Sequence, residues 1–120
     1  MLSIIHKKAY QDFLKLLEQW LLAINNSDST TQNSQTDDIY LEIEKVYCDR
    51  IATITDQDMN LADASSWIAI QAEIQREFRL LQRAKIFYQI ARQPSTRQDR
   101  KAAVAEHIEK LMRYCQTMTQ

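Results

Sequence analysis

The sequence contains no glycine and a single proline, Pro94, in 120 residues. Average usage of roughly 7% glycine would place about eight in a chain of this length. Glycine supplies the positive backbone φ that hairpin turns, phosphate-binding loops and nucleophile elbows require. Its absence excludes the P-loop, the dinucleotide-binding fingerprint and the G-x-S-x-G elbow, and it disfavours a multi-stranded sheet. The fold class that remains is all-α.

Long apolar runs and cysteines are also scarce. No stretch approaches the 18 apolar residues of a membrane span, and the first residues lack the apolar run of a signal peptide. We therefore expect a cytoplasmic protein with no membrane span. Cys48 and Cys115 are too few for a disulfide framework. Because both lie on apolar helical stripes, the sequence predicts two reduced core residues.

The net charge of −1 conceals a strong asymmetry. Residues 1–75 hold 5 Lys/Arg and 12 Asp/Glu, a net charge of −7, whereas residues 76–120 hold 10 and 4, a net charge of +6. A dipolar distribution of this kind favours charged protein partners or self-association over nucleic acid.

Apolar residues recur at three- and four-residue steps in four segments, which is the period of an amphipathic helix. The polar stretch 25–38 predicts a mobile loop, long enough that the first two helices need not be antiparallel neighbours. The third segment predicts a rod of roughly 45–50 Å, which requires a bend or a second copy to cover it. The sequence thus predicts one domain over 1–120, a bundle of about four helices with a long third helix. The segments are 3–24, 37–55, 61–92 and 95–117.

Capping residues and apolar stripes define these helices further. The sequence predicts caps at Ser3 for the first helix, at Thr36 to Asp38 for the second, and at Asp58 or Asn60 for the third. Pro94 ends the third helix, and Ser95 with Gln98 fits a capping box for the fourth. The predicted core stripes are Ile5, Ala9, Phe13, Leu16, Leu17, Trp20 and Ile24; Ile39, Tyr40, Leu41, Ile43, Val46, Tyr47, Cys48, Ile51 and Ile54; Trp67, Ile70, Ile74, Phe78, Leu81, Ala84, Tyr88 and Ala91; and Val104, Ile108, Leu111, Cys115 and Met118.

Some apolar residues of the third helix lie partly outside its main stripe. Apolar surface beyond what the core needs is typical of a dimer or partner site. The residues concerned are Ile68, Leu80, Ile86, Phe87 and Ile90.

The two histidines do not form a recognisable catalytic or metal-binding pattern. The residues before His107 lack the Glu-x-x-His spacing of a di-metal bundle, so we interpret it as a surface or boundary residue. A Cys48–His107 or a Cys115–His6 dyad remains open, although no spacing favours either.

Glu73 and Glu77 are one helical turn apart on an Arg-rich segment. General acid–base catalysis needs carboxylates in a cleft, whereas ion pairs with Arg76 and other residues need only this spacing. We prefer the ion pairs. The protein is accordingly expected to be no enzyme, and to hold no metal and no cofactor.

Basic residues concentrate at the end of the third helix and the start of the fourth. Most are arginines, whose planar guanidinium suits bidentate contact with carboxylates. An acidic protein partner is one interpretation of this set and a solvated face is the other. Nucleic acid is less favoured because the whole chain is slightly acidic. The hypothetical partner-binding residues are Arg76, Arg79, Arg83, Arg92, Arg97, Arg100 and Lys101.

Three segments, Glu77–Leu81, Ala91–Arg97 and Leu111–Cys115, give the chain a family likeness. It resembles the PatD family of small cyanobacterial proteins that control heterocyst frequency, over nearly its full length. The resemblance implies a non-enzymatic regulator that limits how many cells differentiate and that acts on cell division through the tubulin-like protein FtsZ. It implies no catalytic residues. The alternative is a small helical nucleic-acid-binding regulator that uses the basic corner between helices three and four.

Overall fold

The computed structural model describes residues 3–26, 34–57 and 59–119, of which 89% are helical and none lies in a strand. The predicted all-α bundle with a long third helix is confirmed. Helix α2 continues directly into a short π-helix at Tyr47–Ile51. The four α-helices are α1 (Ile4–Asn26), α2 (Ser34–Val46), α3 (Leu61–Ile90) and α4 (Pro94–Thr119).

Helices α1 and α2 are antiparallel neighbours. Trp20, near the end of α1, lies 5.1 Å from Tyr40, near the start of α2, measured between ring centroids. Phe13, two turns earlier on α1, lies 6.0 Å from Tyr47, which follows the end of α2. The sequence allowed the first two helices to lie apart, but in the structure they pack against each other.

Helix α3 runs antiparallel to both α2 and α4. The Tyr47 ring stacks on the Phe78 ring at 3.9 Å between centroids. Two turns away, with the order along the chain reversed, the Lys85 ammonium lies 4.1 Å from the centre of the Tyr40 ring. Helix α4 packs against both α3 and α1. The helices therefore alternate in direction around the bundle, whose longest dimension is 50 Å.

The core lies along the axis of the bundle. The whole predicted stripe of α4 is buried, and so are Phe13 and Leu17 of α1 and Ile74 and Leu81 of α3. Burial of this many large apolar side chains is the main stabilising contribution to the fold.

Three residues predicted in the core are exposed instead. Ile5 is 77% exposed because it lies in the first turn of α1, ahead of Ala9, the first buried residue of that helix. Leu41 is 60% exposed and Cys48 is exposed as well. Leu41 and Cys48 are two turns apart on one line of α2, and that line faces outwards. Cys115, in contrast, is fully buried as predicted.

The polar stretch between α1 and α2 is shorter than expected. Residues 25 and 26 belong to α1 and residues 34–38 belong to α2, while 27–33 lie outside the described residues. Polar residues can occupy the ends of helices, so the lack of apolar residues did not mark where α1 ends and α2 begins. The expectation of mobility falls on residues that are not described.

The caps agree with prediction at two of four positions, and the cap predicted at Thr36 to Asp38 is wrong because α2 already begins at Ser34. Ser3 Oγ accepts a hydrogen bond from the His6 N–H, and Asn60 Oδ1 accepts one from the Asp63 N–H. The predicted cap at Ser95 is wrong, because α4 already begins at Pro94. Proline is favoured at the first helical position, where its missing N–H leaves no bond unmade.

Candidate functional site

The turn between α3 and α4 places the predicted basic residues on both sides of a corner. Residues 91–93 connect the helices, and the Arg97 side chain donates a hydrogen bond of 3.2 Å to the carbonyl oxygen of Ala91. The Arg97 guanidinium also lies 5.0 Å from the centre of the Tyr88 ring. Arg97 is therefore half-buried and engaged in closing the turn.

The neighbouring turn of α4 carries a second guanidinium on an aromatic ring. Arg100 lies 5.0 Å from the centre of the Phe87 ring, and Phe87 is 40% exposed. Arg83 and His107 join them around a shallow groove of about 180 Å³ between α3 and α4. A guanidinium stacked on a ring still presents the N–H groups in its plane to a carboxylate.

Not all of the predicted set lies at this corner. Arg76 precedes Arg92 by sixteen residues on or next to one helix, a separation of roughly 24 Å. Arg79 is exposed one residue after Phe78, whose ring stacks on Tyr47, so it lies near the end of α2 and not at the corner. Arg92 is exposed and Lys101 is half-buried beside the turn. We call the following group the corner surface: Arg83, Phe87, Arg92, Arg97, Arg100 and Lys101.

Arg76 belongs to a second groove, of about 460 Å³, further along α3 and α4. Lys110 and Arg113 line it together with Arg76. The charge pattern along the sequence does not group these two residues with Arg76, because they lie more than thirty positions downstream. The short connection at Pro94 was the signal that could have found them, since it makes α3 and α4 antiparallel and sets Arg76 opposite the middle of α4.

Glu77 is buried between α3 and α4, which its predicted ion pairing did not indicate. Glu77 is only 2% exposed, and its Oε2 lies 2.8 Å from Nδ1 of His107 on α4. Because a carboxylate oxygen accepts, the imidazole Nδ1–H donates this bond. Arg76 makes the expected pairs with Glu73 and Glu77, but at 3.8 and 3.9 Å they are longer. The buried carboxylate thus joins α3 to α4 chiefly through His107.

A second buried polar network joins α1, the π-helix and α3. The Trp67 indole N–H donates to the Tyr10 hydroxyl, and that hydroxyl donates to Gln71 Oε1 at 2.7 Å. Gln71 Nε2 in turn donates to the carbonyl oxygen of Ile51 at 2.9 Å. Burial raises the pKa of Tyr10 to about 12, against a small opposing effect of the bond from Trp67. These bonds fix the end of the π-helix and satisfy polar groups inside the core.

Neither α2 nor the π-helix, which carries Cys48, packs against α4 over the described residues, so the structure does not bring Cys48 and His107 together. Burial raises the pKa of the Cys115 thiol to about 12, which opposes formation of a thiolate nucleophile. Within the ranges that the structure covers, no group of three or more His, Cys, Asp or Glu residues is placed to bind a metal ion.

The described helices include none that is both long enough and apolar enough to cross a membrane. No protein-family model, curated protein or solved structure matches the chain. The resemblance to the PatD family therefore stays a prediction that rests on the residues quoted for it.

Proposed function

We propose that this protein is a non-enzymatic, cytoplasmic regulatory adaptor that binds an acidic segment of a partner protein through the corner surface. The observation that carries the proposal is the groove in which Arg83 and Arg100 flank the half-exposed ring of Phe87. Arginine and aromatic side chains are the residues that most often dominate the binding energy of protein interfaces.

The charge distribution supports an acidic partner. The segment 76–120, which supplies the whole corner surface, carries a net charge of +6. A concentrated positive potential accelerates encounter with an acidic partner and orients it, at a rate that depends on salt. The resemblance to the PatD family implies FtsZ as that partner, and we propose it as the first one to test.

The test is a charge reversal restricted to residues that the fold does not need. Arg83→Glu with Arg100→Glu should weaken binding to purified FtsZ at least about tenfold, because both new carboxylates oppose an acidic segment. Arg97 stays unchanged since it closes the turn. Lys7→Glu with Lys15→Glu on α1 makes the same change in net charge and should leave the affinity within about twofold.

Circular dichroism establishes that both double variants fold. Equal affinity for FtsZ in the wild type and in the corner variant would refute the corner surface as the docking site. An equal loss in both variants would show that net charge, and not this surface, governs binding.

The second candidate is a nucleic-acid-binding regulator that uses the same surface. The exposed ring of Phe87 beside Arg100 favours it, because bases stack on aromatic side chains next to cations. A gel shift titrated with salt separates the two functions. Nucleic-acid binding requires an affinity that falls steeply and linearly on a logarithmic salt scale, as counterions are released.

A further inference from the structure

Helices α2 and α3 do not pack closely through their backbones, but long side chains connect them along one face of the bundle. Gln82 Nε2 of α3 lies 3.3 Å from Glu44 Oε2 of α2. The Lys85 ammonium lies 4.1 Å from the centre of the Tyr40 ring. These contacts fix which residues of the two helices are level with each other along the bundle.

Large aliphatic side chains point outwards on both helices of this face. Leu41, next to Tyr40, is 60% exposed, and Ile86, next to Lys85, is 57% exposed. The two therefore lie at nearly the same level, on adjacent helices. Ile68 is 51% exposed as well, but it lies eighteen residues before Ile86, roughly 27 Å away along the helix, and is separate from this pair. Neighbouring exposed apolar side chains such as Leu41 and Ile86 are typical of an interaction surface.

The charges on this face separate by helix. Helix α2 carries carboxylates at Asp37 in its first turn and at Glu44 two turns later, and one exposed ammonium group at Lys45 in its last turn. Helix α3 presents the exposed guanidinium groups of Arg79 and Arg83. Glu44 is level with Gln82, so its carboxylate lies at a height between those two arginines. The face is thus acidic on one helix and basic on the other.

We propose that a second copy of this chain docks on this face, which we call the α2–α3 face. A twofold axis parallel to the helices sets α2 of each copy against α3 of the other without changing height along the bundle. Leu41 then packs against Ile86 of the other copy, and Glu44 faces its Arg79 and Arg83. An acidic helix beside a basic helix is self-complementary under this rotation, which is why the surface selects another copy of itself.

This dimer leaves most of the corner surface free, and Arg83 is the residue that borders both. Ile86 and Phe87 are consecutive residues, so their side chains point about 100° apart around α3. Phe87 and Arg100 lie on the α4 side and remain accessible when the α2–α3 face is covered.

The first experiment measures the mass of the purified full chain by light scattering. We expect twice the 14.1 kDa of one chain for the wild type. Leu41→Glu should give the mass of one chain, because it buries a carboxylate opposite Ile86. Leu22→Glu is the matched control, since Leu22 on α1 is 63% exposed and lies off this face. It should stay dimeric.

The second experiment tests the proposed register by charge exchange. Glu44→Arg and Arg79→Glu should each raise the dimer dissociation constant at least about tenfold, because each places like charges opposite one another. The double variant restores the opposite charges and should recover most of the affinity.

Three results would overturn the proposal. One is a wild-type protein that sediments as a monomer up to about 100 µM, where a functional homodimer should form. Another is loss of the dimer in Leu22→Glu with retention in Leu41→Glu. The third is a charge-exchanged double variant that is weaker than either single variant.

Discussion

Glu77 is the residue whose role departs most from its position in the sequence pattern. Its neighbours in the sequence include several arginines, yet Glu77 is almost fully buried and hydrogen-bonded to His107. A buried carboxylate is stable only when its lone pairs are satisfied, so His107 is a stabilising partner and not an isolated surface residue.

Removal of His107 tests this interpretation. His107→Ala should lower the free energy of unfolding by about 3 kcal/mol, because it leaves the Glu77 carboxylate buried without its closest partner. Glu109→Ala, at an exposed position two residues away on α4, is the control and should stay within about 0.5 kcal/mol of the wild type. Urea denaturation followed by circular dichroism measures both. A loss in His107→Ala no larger than in the control would mean that the pair contributes nothing.

Residues of one type can also have opposite environments. Cys48 is exposed on the outward line of α2, whereas Cys115 is fully buried at the centre of the α4 stripe. The sequence assigned both to the core because each falls near an apolar stripe. Cys48 follows Leu41 by two turns on the same outward line, so an apolar stripe widened to include both residues misplaces both of them.

At the scale of elements, the junction of α2 with the π-helix is held by polar contacts as well as by packing. The Arg50 guanidinium donates a 2.8 Å bond to Asp12 of α1. This bond, which outweighs an opposing effect of desolvation, holds the pKa of Asp12 below its usual value, with help from Lys8. Arg50 therefore ties the end of the second helical segment to the first helix.

The lowered pKa of Asp12 makes this tie dependent on pH. A carboxylate with a lower pKa in the folded state stabilises the fold above its unfolded pKa of about 3.9, and the stabilisation disappears as the pH falls through the folded value. Asp12→Asn should remove this part of the acid dependence and cost at most about 1 kcal/mol at neutral pH, because the pair is partly solvent-accessible. Thermal unfolding of both proteins from pH 7 to pH 3 measures it. Parallel curves over this range would contradict a contribution from Asp12.

The periodicity of the sequence predicts elements better than it predicts polar contacts. It located α3 and α4 within a few residues and identified every buried apolar residue from Val104 to Met118 in α4. It did not identify Gln71 or Glu77 as buried, because their partners Tyr10 and His107 come from other helices. Contacts of this kind depend on the order of the helices in space, which the apolar stripes alone leave undetermined.

In the whole molecule, the acidic and basic parts of the chain lie on different surfaces. The acidic part supplies the outer line of α2, and the basic part supplies both Arg79 on the α2–α3 face and the corner surface on the other side of α3. One helix can therefore serve two contacts, because its side chains leave in different directions around a common axis.

The two proposed contacts should be separable by mutation. Leu41→Glu, which is expected to be monomeric, should bind FtsZ with an affinity within about twofold of wild type, since the corner surface is unchanged and lies about 100° away around α3. Arg83→Glu alone is unsuitable here, because Arg83 borders both surfaces. Arg100→Glu contributes only to the corner surface, so it should stay dimeric by light scattering while its binding of FtsZ weakens. If Leu41→Glu lost FtsZ binding as fully as Arg100→Glu, the partner would be recognising the dimer, and the independence of the two surfaces would be wrong.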